Sequence, residues 1–590
     1  MNFSKQRLTI IYGSQTGTAY DISTWLANRL TPKFASVDCY DGNSYISDKS
    51  LLSESVSIFI LATSGNGDSP INFRKFWNFV FSDECMSLFK GRKFAVFGLG
   101  DSKYEQFNYA ARILYGRLRF IGGVPLCQLG CGDDQHTLGV FQEFSPWFST
   151  MCVSLFGEEL VSDDLSVHYS RYSLLQESSN TSCGAAPPVY NHCRVVWNRR
   201  LTHPAHFQNV FKLTLNVFGR WDYEPGDAIA VYPKICLETA IKFIQQVLNS
   251  DPLDRIVLLD NTTKSARTYS LIELFTEVFD ITAVPTILFF QVLLEFASAQ
   301  TGDDMPLIVD KLRELASVSP IGASERMRYF GKEKLSIMEV LLDFHQVEIS
   351  DLENFLHVIP KISPRYYSIA RISRVNSPFN FQTQIDILVS VSESTTLFGR
   401  HKIGLASSYL HGLKPGQYIP DRIFPVRGFH TSIDTIQRAK SLLLIGPGTG
   451  ISPILAICDF FSKTQKFAIT GFRNLEMDFL IQQGIPGTDC VVAWSRPSTP
   501  ADDRHSWTHI DPHGTHITAN GGKKTWAQDL ISLFKTQVLS ILDDPTCVVI
   551  ICGRSHPMPQ QVVTQLENIA GKENISQMRK SARIVFDTWG

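Results

Sequence analysis

Residues 13–19, GSQTGTA, place hydroxyl side chains and glycines directly before a helical pattern. Hydroxyls and unpaired backbone N–H groups at the start of a helix suit a phosphate, because they and the helix dipole both favour negative charge. The segment lacks the spacing G-x-x-x-x-G-K, which argues against a nucleotide-triphosphate loop. Hydroxyl-rich helix starts are also common as simple caps, so this motif alone supports a binding site only weakly.

Three more polar, glycine-rich loops follow predicted strands in the first part of the chain, at residues 62–68, 98–108 and 129–136. In a doubly wound sheet, ligands bind beyond the carboxyl ends of the strands. We therefore expect the four loops to form one site, which strengthens the functional interpretation of the first.

The C-terminal half carries a second set of motifs. Residues 441–457, SLLLIGPGTGISPILAI, predict a strand, a glycine-rich turn and a helix, an arrangement that lets backbone approach a pyrophosphate. The remaining motifs are short and separated along the chain: YEPGDAIAVYP at 223–233, R-x-Y-S at 365–368, GLASSYL at 404–410, GFRN at 471–474, Ser495-Arg496, Cys552-Gly553 and a terminal DTWG.

The elements that must position these motifs follow from periodicity. Short β-rich runs at 8–13, 57–63 and 93–100 alternate with helical patterns, as in Ile22, Leu26 and Leu30. Such alternation predicts a parallel sheet covered on both faces. A second alternation begins near residue 441, after a β-rich stretch and a mainly helical one.

Changes of pattern also predict the domain boundaries. Residues 156–188 lose periodicity and contain the run ESSNTSCGAAPP, which is typical of a linker. We predict a doubly wound domain over 1–155, a linker over 156–188, a β-rich domain over 189–436 with a helical insertion at about 237–358, and an α/β domain over 437–590.

Composition restricts the classes of function. Lys+Arg 55 against Asp+Glu 57 gives a formal net charge of -2, which argues against broad binding to nucleic acid or anionic membranes. The apolar run at 8–12 is short and the one at 287–296 is interrupted by Gln291 and Glu295, so neither an export signal nor an anchor is expected. The 12 cysteines include no C-x-x-C pair, which predicts reduced thiols and no metal site.

These motifs, in this order, resemble the diflavin reductases over nearly the whole chain. SQTGTA, ATSGNGDSP and GLGDSKYEQFN are similar to the FMN domain of that family, and the later motifs to its ferredoxin-NADP-reductase-like half. The resemblance implies a multidomain α/β protein: a flavodoxin-like doubly wound domain, an FAD-binding β-barrel with a helical insertion, and a Rossmann-like NADP-binding domain. It implies that NADPH gives a hydride to FAD, and that FMN passes single electrons to a protein acceptor.

The resemblance assigns FMN to the four N-terminal loops. The residues implied for its phosphate are Ser14, Gln15, Thr16, Gly17 and Thr18. Tyr104 would stack on the isoalloxazine ring, with Asn108 and Asp133 nearby. The remaining FMN residues are Ala62, Thr63, Ser64, Gly65, Asn66, Gly67, Leu99, Gly100 and Phe107. Many relatives have an aromatic residue where this chain has Ser64, so one face of FMN is expected to be less covered.

FAD and NADPH are assigned to the later motifs. Arg365 can neutralise the FAD pyrophosphate and Tyr367 can stack on the flavin. A 2′-phosphate needs cations and hydroxyl donors, so Ser495, Arg496 and Arg473 favour NADPH over NADH. The residues implied for FAD are Arg365, Tyr366, Tyr367, Ser368, Gly404, Leu405, Ala406, Ser407, Ser408 and Trp589. Those implied for NADPH are Gly448, Thr449, Arg473, Ser495, Arg496, Lys524, Trp526 and Gln528.

Four residues are candidates for the hydride transfer itself. Ser368, Cys552 and Asp587 match the polar set that surrounds the hydride path in the family, and Trp589 matches its C-terminal aromatic residue, which covers FAD. The expected role is to position the nicotinamide and to stabilise charge. Singly, a buried Cys or a terminal Trp is more often plain core or tail.

The NADPH side departs from the family pattern. Ile454-Leu455 stands where the family usually has Phe-Arg, Phe472 where it has Cys, and Arg554 where Asp is common. Residues 497–522 look inserted before a K-x-W-x-Q motif. Histidines 505, 509, 513 and 516 in this insertion favour a solvated loop over a metal site, because no Cys or carboxylate frame accompanies them.

Members of the family differ in their electron acceptor. A microsomal haem-oxygenase reductase would need an N-terminal anchor, and a nitric-oxide-synthase-like chain would need a haem domain. A sulfite-reductase flavoprotein or a methionine-synthase reductase would fit the same motifs. GDDQH and ATSGNGDSP most resemble the cytosolic NADPH-dependent diflavin oxidoreductases, which reduce an anamorsin-type iron-sulfur protein in cytosolic iron-sulfur assembly. This implies a cytoplasmic enzyme with that acceptor and without a membrane anchor or nucleic-acid partner.

A rival interpretation of another class is a catalytically idle flavoprotein scaffold that only binds partners. The retained Ser368, Cys552, Asp587 and Trp589 argue against it.

Overall fold

A computed structural model describes residues 6–14, 17–47, 56–63, 67–87, 89–104, 106–136, 139–158, 172–175, 192–218, 223–260, 265–317, 319–376, 381–428, 433–498 and 502–589. The chain divides into two compact units. The first comprises Met1–Ala185, Ile235–Ser363 and Thr396–Arg400, and the second Ala186–Lys234, Pro364–Thr395 and His401–Gly590. The helical insertion therefore groups with the N-terminal domain, although the chain places it inside the β-rich domain.

The N-terminal part of the first unit alternates strands and helices. In chain order these elements are β1 (Arg7–Gly13), α1 (Thr18–Leu30), β2 (Ser36–Asp41), α2 (Gly42–Ser47), β3 (Val56–Ala62), α3 (Arg74–Val80), β4 (Lys93–Gly100), α4 (Tyr109–Phe120), β5 (Val124–Pro125), β6 (Gly130–Asp133) and α5 (Phe141–Phe156).

These strands form a parallel sheet in the order β2-β1-β3-β4, with β5 and β6 both pairing to β4. The central strands are almost continuously buried, as expected when helices cover both faces. This confirms the predicted flavodoxin-like doubly wound domain. Its edge strand β2 was not predicted, because its half-buried residues give no apolar run. Helix α1 buries Ile22, Leu26 and Leu30, as its periodicity predicted.

The middle of the chain contributes elements to both units. In chain order they are β7 (Tyr172–Leu175), β8 (His192–Arg200), β9 (Val210–Phe218), β10 (Ala228–Val231), α6 (Leu237–Gln246), β11 (Arg255–Asp260), β12 (Ser265–Ser270), α7 (Leu271–Glu277), α8 (Ile287–Ser298), α9 (Met305–Ala316), α10 (Pro320–Arg326), α11 (Ile337–Asp343), α12 (Leu352–Val358), β13 (Arg365–Asn376), β14 (Phe381–Ser390), β15 (Glu393–Thr395), β16 (His401–Ile403), α13 (Leu405–Gly412), β17 (Tyr418–Pro420) and β18 (Ile423–Val426).

Helices α6 to α12 occupy the segment expected to be helical. Two of them begin with capping boxes: Ser270 with Glu273 opens α7, and Ser336 with Glu339 opens α11. Strand β7 lies within the segment predicted as a linker, yet it pairs with β11. Its Tyr172 is buried and stacks on His357, with ring centroids 5.8 Å apart.

The β-rich part of the second unit is an antiparallel sheet in the order β17-β8-β9-β14-β13-β10-β18. It curls into a half-barrel, which is the form that the expected FAD-binding β-barrel takes here. Its concave core is built from alternating residues such as Leu213, Leu215, Ile385 and Ile387, all fully buried.

The C-terminal elements form a second α/β domain, built on a seven-stranded sheet. They are α14 (Ile433–Arg438), β19 (Ser441–Ile445), α15 (Ile451–Phe460), β20 (Gln465–Phe472), β21 (Asp489–Trp494), β22 (Ser506–Ile510), β23 (His516–Asn520), α16 (Ala527–Leu533), α17 (Lys535–Leu542), β24 (Val548–Arg554), α18 (Met558–Ala570), α19 (Lys572–Lys580) and β25 (Ile584–Trp589). The sheet order is β23-β22-β21-β20-β19-β24-β25, parallel from β21 to β25.

The expectation of a solvated loop at 497–522 is wrong. Strands β22 and β23 form an antiparallel hairpin that extends the sheet from β21. Residues of β22 alternate between buried and half-buried, and Thr508 accepts a hydrogen bond of 3.0 Å from the buried indole of Trp494. The polar, histidine-rich composition concealed this alternation. Among the described residues there is no cluster of His, Cys, Asp and Glu that could hold a metal ion.

Within the described ranges, no helix has both the length and the apolar character that a bilayer crossing requires.

A pair of glycines tests the packing of the first sheet. A Cβ at Gly130 in β6 would lie 2.3 Å from a ring atom of Phe97 and 2.7 Å from one of Trp147, whereas a Cβ at Gly116 in α4 would meet nothing within 4 Å. We expect Gly130→Ala to destabilise the domain by about 1–3 kcal/mol through overpacking. Gly116→Ala should instead stabilise it by about 0.5–1 kcal/mol through helix propensity.

Calorimetry of the full chain measures both changes as shifts of the unfolding midpoint, in opposite directions. A Gly130→Ala protein as stable as the parent would contradict this account of the packing around β6.

Candidate functional site

The carboxyl ends of the first parallel sheet bring the four N-terminal loops to one edge. The register pairs Gly13 with Leu61 and Gly100 with Asp133, so the ends of neighbouring strands lie side by side. Backbone hydrogen bonds continue beyond the strands, from Thr63 N to Leu99 O at 3.0 Å and from Asp134 N to Gly100 O at 2.9 Å. The segment 129–136, expected as a loop, begins with the strand β6, and its loop starts after Asp133.

The described residues of the first loop fit an anion site. Gly17 precedes the 13-residue helix α1 with φ 110°, a left-handed conformation that glycine adopts without strain. Among the described residues, no atom lies within 4 Å of the place that a Cβ at Gly17 would take. Ser14 Oγ accepts from Gly17 N at 2.9 Å and Ser14 N donates to Asn72 Oδ1 at 3.0 Å, which shapes the loop. Gln15 and Thr16 lie outside the described residues.

Two buried side-chain oxygen atoms near this edge have no hydrogen-bond partner among the described residues. Asn108 Nδ2 donates to Gly132 O at 3.0 Å. Among the described residues, Asn108 Oδ1 and Thr63 Oγ1 have no hydrogen-bond partner. Buried polar atoms are nearly always satisfied, so the polar edge of a ligand suits the Thr63 hydroxyl, whereas Asn108 is fully buried and its Oδ1 lies against Gly98 and Gly100. The described loop residues therefore fit FMN.

Other predicted FMN residues have varied surroundings. Burial opposes ionisation of Asp133, but hydrogen bonds from Ser102 and Gln135 outweigh it and lower the pKa of its carboxyl. Asp133 thus organises the loop. Tyr104 is half-buried, and the Phe107 ring lies 5.8 Å from the Arg112 guanidinium. Ala62 and Leu99 belong to β3 and β4. Ser64, Gly65 and Asn66 lie outside the described residues, so the coverage expected near Ser64 stays a prediction.

The predicted FAD residues begin strand β13. Arg365 and Tyr367 point to one face of the strand and Tyr366 to the other, because side chains alternate. Tyr367 pairs in register with Ile229, and burial raises the pKa of its hydroxyl to about 12 although Arg365 acts to lower it. This leaves a neutral, half-buried aromatic ring with a cation nearby, which suits a flavin and its pyrophosphate.

The second predicted FAD segment opens helix α13. Gly404 caps the helix, and a Cβ there would approach Ser392 Cβ to 3.0 Å. Ser407 Oγ donates to Gly404 O and accepts from Ser392 N, both at 3.1 Å, so this hydroxyl shapes the loop. Leu405 is half-buried, Ala406 is buried and Ser408 is exposed, which leaves the Ser408 hydroxyl and the first-turn N–H groups as the donors that fit a pyrophosphate.

The hydride-path candidates converge. Ser368 Oγ donates to Asp587 Oδ2 at 3.2 Å across 219 positions of sequence. Asp587 is the register partner of Cys552 in the β24–β25 pair. Ser452 Oγ donates to Ser368 O at 2.9 Å, and a Cβ at Gly450 would lie 2.5 Å from Cys552 O. Ser452 was not predicted; its position as the second residue of α15, directly after the glycine-rich turn, was the available signal.

Burial tunes both acids of this site. It raises the pKa of the Asp587 carboxyl to about 6, although the hydrogen bond from Ser368 acts to lower it. Burial, with a further contribution from Asp587, holds the pKa of the Cys552 thiol well above its usual value. Near pH 7 the site therefore combines a carboxylate with a neutral thiol.

Trp589 ends strand β25. Its carbonyl accepts from Ser555 N at 3.0 Å, and its side chain is 38% exposed. Its predicted position over FAD stays a prediction.

The glycine-rich turn after β19 fits a pyrophosphate. Gly448 has φ 60°, and a Cβ there would meet nothing within 4 Å, so the outer face of the turn is open. Thr470 Oγ1 donates to Gly446 O at 2.7 Å, a hydrogen bond that links strand β20 to the start of the turn. Thr449, within the turn, is half-buried. Helix α15 begins directly after the turn, at Ile451.

The predicted 2′-phosphate residues lie together. Arg473 and Ser495 follow the parallel strands β20 and β21, and Arg496 N donates to Arg473 O at 2.7 Å. Asp478 accepts from the backbone N of Arg473 at 3.0 Å, which orders the turn. The Ser495 hydroxyl donates to Phe472 O at 3.3 Å, so the two guanidinium groups are the main donors.

The K-x-W-x-Q segment lies beside this pair. Thr525 N donates to Trp494 O at 3.0 Å, which brings the exposed Lys524 and Trp526 near Ser495. Gln528 Nε2 donates to Gln561 Oε1 at 2.9 Å. Two residues that the sequence analysis missed, Phe207 and Gln208, also contact Arg473.

The residues that differ from the family pattern on the NADPH side lie either in the core or at the surface. Ile454 is fully buried, and Phe472 packs among Phe479 and Trp494. Leu455 is partly buried and Arg554 is exposed.

Family models match the two parts of the chain that were predicted to bind flavins. The flavodoxin family model matches residues 10–147, and the FAD binding domain model matches residues 189–409. Curated relatives called "NADPH-dependent diflavin oxidoreductase 1" match along their whole length. The protein from Xenopus laevis is 28% identical over 99% of this chain and 100% of its own. The one from Bos taurus is 27% identical over 99% of each, and the one from Arabidopsis thaliana is 25% identical over 100% of each.

Full-length similarity of this kind accounts for both sets of loops and for the nucleotide-binding turn at once. We conclude that the chain, similar over its whole length to the NADPH-dependent diflavin oxidoreductases, is an NADPH-dependent oxidoreductase with FMN, FAD and NADPH as cofactors.

Proposed function

We propose that this chain transfers a hydride from NADPH to FAD beside Ser368, Cys552 and Asp587, and delivers electrons through FMN to an anamorsin-type iron-sulfur protein in the cytoplasm, for cytosolic iron-sulfur cluster assembly. Within this proposal Arg473, Arg496 and Ser495 recognise the 2′-phosphate of NADPH. The convergence of Ser368, Cys552 and Asp587 carries the redox part, because three polar groups distant in sequence meet at one point.

The bound flavins supply the change from two-electron to one-electron transfer, which suits an iron-sulfur acceptor. The protein's contribution is orientation and charge. A carboxylate at Asp587 favours the positive charge that develops on a ring that loses hydride, and Ser368 holds that carboxylate in place. The neutral Cys552 thiol fills the adjacent position without adding a second negative charge. The close approach of Gly450 to Cys552 O lets the pyrophosphate turn lie next to this site.

Support for the acceptor is of a different kind. It comes from the similarity of GDDQH and ATSGNGDSP to the cytosolic branch of the family, and from FMN as a one-electron donor. The test is reduction of purified candidate acceptors by the full chain and NADPH under anaerobic conditions. We expect an anamorsin-type iron-sulfur protein to be reduced at a lower concentration than a haem protein, a sulfite reductase or a methionine synthase. If one of the other three proteins is reduced at the lowest concentration, the proposed acceptor is wrong, while the proposed reductase activity stands.

The pH dependence of flavin reduction tests the role of Asp587. Its carboxyl, with a pKa of about 6, is ionised above that pH and protonated below it, so the rate should rise through pH 6 to a plateau. Asp587→Asn should slow the reaction on the order of a hundredfold and abolish this step in the profile. Ser368→Ala removes the hydrogen bond that lowers the pKa, so the midpoint should move to higher pH.

Stopped-flow bleaching of the flavin by NADPH gives these profiles. No bleaching in a protein that holds both flavins would favour the scaffold interpretation, and an unchanged profile in Asp587→Asn would remove this carboxyl from the reaction.

The FMN site can be tested with a matched pair of threonines. Thr63 Oγ1 and Thr9 Oγ1 are both buried without a hydrogen-bond partner in the described structure, but only Thr63 lies at the carboxyl edge of the sheet. Thr63→Val should weaken FMN binding about three- to tenfold through loss of one hydrogen bond. Thr9→Val should leave the FMN dissociation constant unchanged. Titration of the FMN-depleted protein measures both constants, and equal values for Thr63→Val and the parent would exclude the contact.

A further inference from the structure

We propose that Phe207 is a positioning residue for NADPH: its ring holds the guanidinium groups of Arg473 and Arg496 side by side, ready for the 2′-phosphate. This inference rests on the proposed assignment of those two arginines. It adds a residue that touches neither the flavin nor the hydride path, and that selects between two forms of the dinucleotide.

The geometry is that of a shared cation–π platform. Phe207 lies in the connection between β8 and β9, and 63% of its surface is exposed. The Arg473 guanidinium carbon lies 4.5 Å from the ring centroid and that of Arg496 lies 5.6 Å away. Both distances are within the range of about 6 Å in which a cation is attracted to an aromatic face.

An aromatic ring solves a problem of like charge. Two guanidinium groups repel each other when no anion lies between them. Burial is the main cause that lowers the pKa of Arg473. The neighbouring Asp478 acts to raise this pKa, and the positive charges of Arg496 and Arg554 lower it further. A carboxylate in place of Phe207 would attract both cations but would also occupy their N–H groups. A ring attracts them through its face, which leaves N–H edges for a phosphate.

The ring is held in place by its own loop. Arg200 Nη2 donates to His206 O at 2.8 Å, and Thr202 Oγ1 donates to Gln208 O at 3.0 Å. Gln208 Nε2 donates to Ser390 Oγ at 2.6 Å, while its carbonyl oxygen accepts from Arg473. The buried His206 ring packs on the Phe207 ring, with centroids 4.7 Å apart. Phe207 is thus an ordered surface residue.

Arg496 depends on the ring more than Arg473 does. Arg473 also has the Gln208 contact. The exposed Arg496 side chain, by contrast, forms no hydrogen bond or ion pair with the residues that the structure describes, and its recorded contact is the Phe207 face. Loss of the ring should therefore free Arg496 to point away from the site, with an entropic cost when NADPH binds.

Phe207→Leu separates the ring face from simple packing, since leucine is apolar and of similar reach but has no quadrupole. In the full holoenzyme we expect Phe207→Leu to raise KM for NADPH about five- to twentyfold. kcat with ferricyanide as acceptor and KM for NADH should change less than about twofold, because neither depends on the 2′-phosphate. Inhibition by adenosine 2′,5′-bisphosphate should weaken while inhibition by AMP stays. Phe207→Trp, which keeps an aromatic face at this position, should have the KM and inhibition values of the parent protein.

Two parallel variants make the outcomes distinct. Phe460→Leu changes another exposed phenylalanine, one that packs edge-to-face against Phe461 and has no cation over its ring among the described residues, and should leave these kinetic constants unchanged. Arg496→Ala should raise KM for NADPH far more than for NADH. If it raises both equally, the 2′-phosphate assignment fails and this inference fails with it. If Arg496→Ala discriminates but Phe207→Leu behaves like the parent, or raises both KM values equally, only the role of Phe207 is overturned.

Discussion

The hydrogen bond from Ser368 to Asp587, 3.2 Å long, is the contact on which the proposed hydride-transfer site depends, because it joins the antiparallel half-barrel to the C-terminal parallel sheet. Ser452 strengthens the junction by donating to the Ser368 carbonyl at 2.9 Å. Cys552 enters the site as the strand neighbour of Asp587. Burying a carboxylate costs free energy that its hydrogen bond only partly offsets, so burial raises its pKa to about 6, close to working pH.

The predicted FMN site and the predicted nucleotide site both lie at the carboxyl edge of a parallel sheet. Parallel strands end at the same sheet edge, so loops distant in sequence meet there, and a helix that follows each strand presents unpaired N–H groups. Gly17 and Gly448 both adopt positive φ, and among the described residues no atom lies within 4 Å of the place that a Cβ at either would take. The same edge of the second sheet carries Arg473 and Arg496, where charge rather than a helix start would select the 2′-phosphate.

The departures from the family pattern now have a structural meaning. Ile454 and Phe472 are core residues of the C-terminal sheet, so their identity reflects packing rather than direct contact with a nucleotide. The inserted segment adds a hairpin to the sheet edge, and its Thr508 satisfies the buried indole of Trp494. Phe207, in a loop of the half-barrel, contacts the guanidinium groups of both Arg473 and Arg496.

Local pattern in the sequence was enough for the central strands, helix α1, the glycine turns and the order of cofactor motifs, because side-chain periodicity and turn chemistry act between near neighbours. It was not enough for β2 and the 506–520 hairpin, whose half-polar strands become recognisable only beside a partner strand. The Ser368–Asp587 contact and the Phe207 platform were decided by tertiary structure alone. They join residues far apart in the chain, and such contacts depend on how sheets and loops pack, which no local pattern encodes.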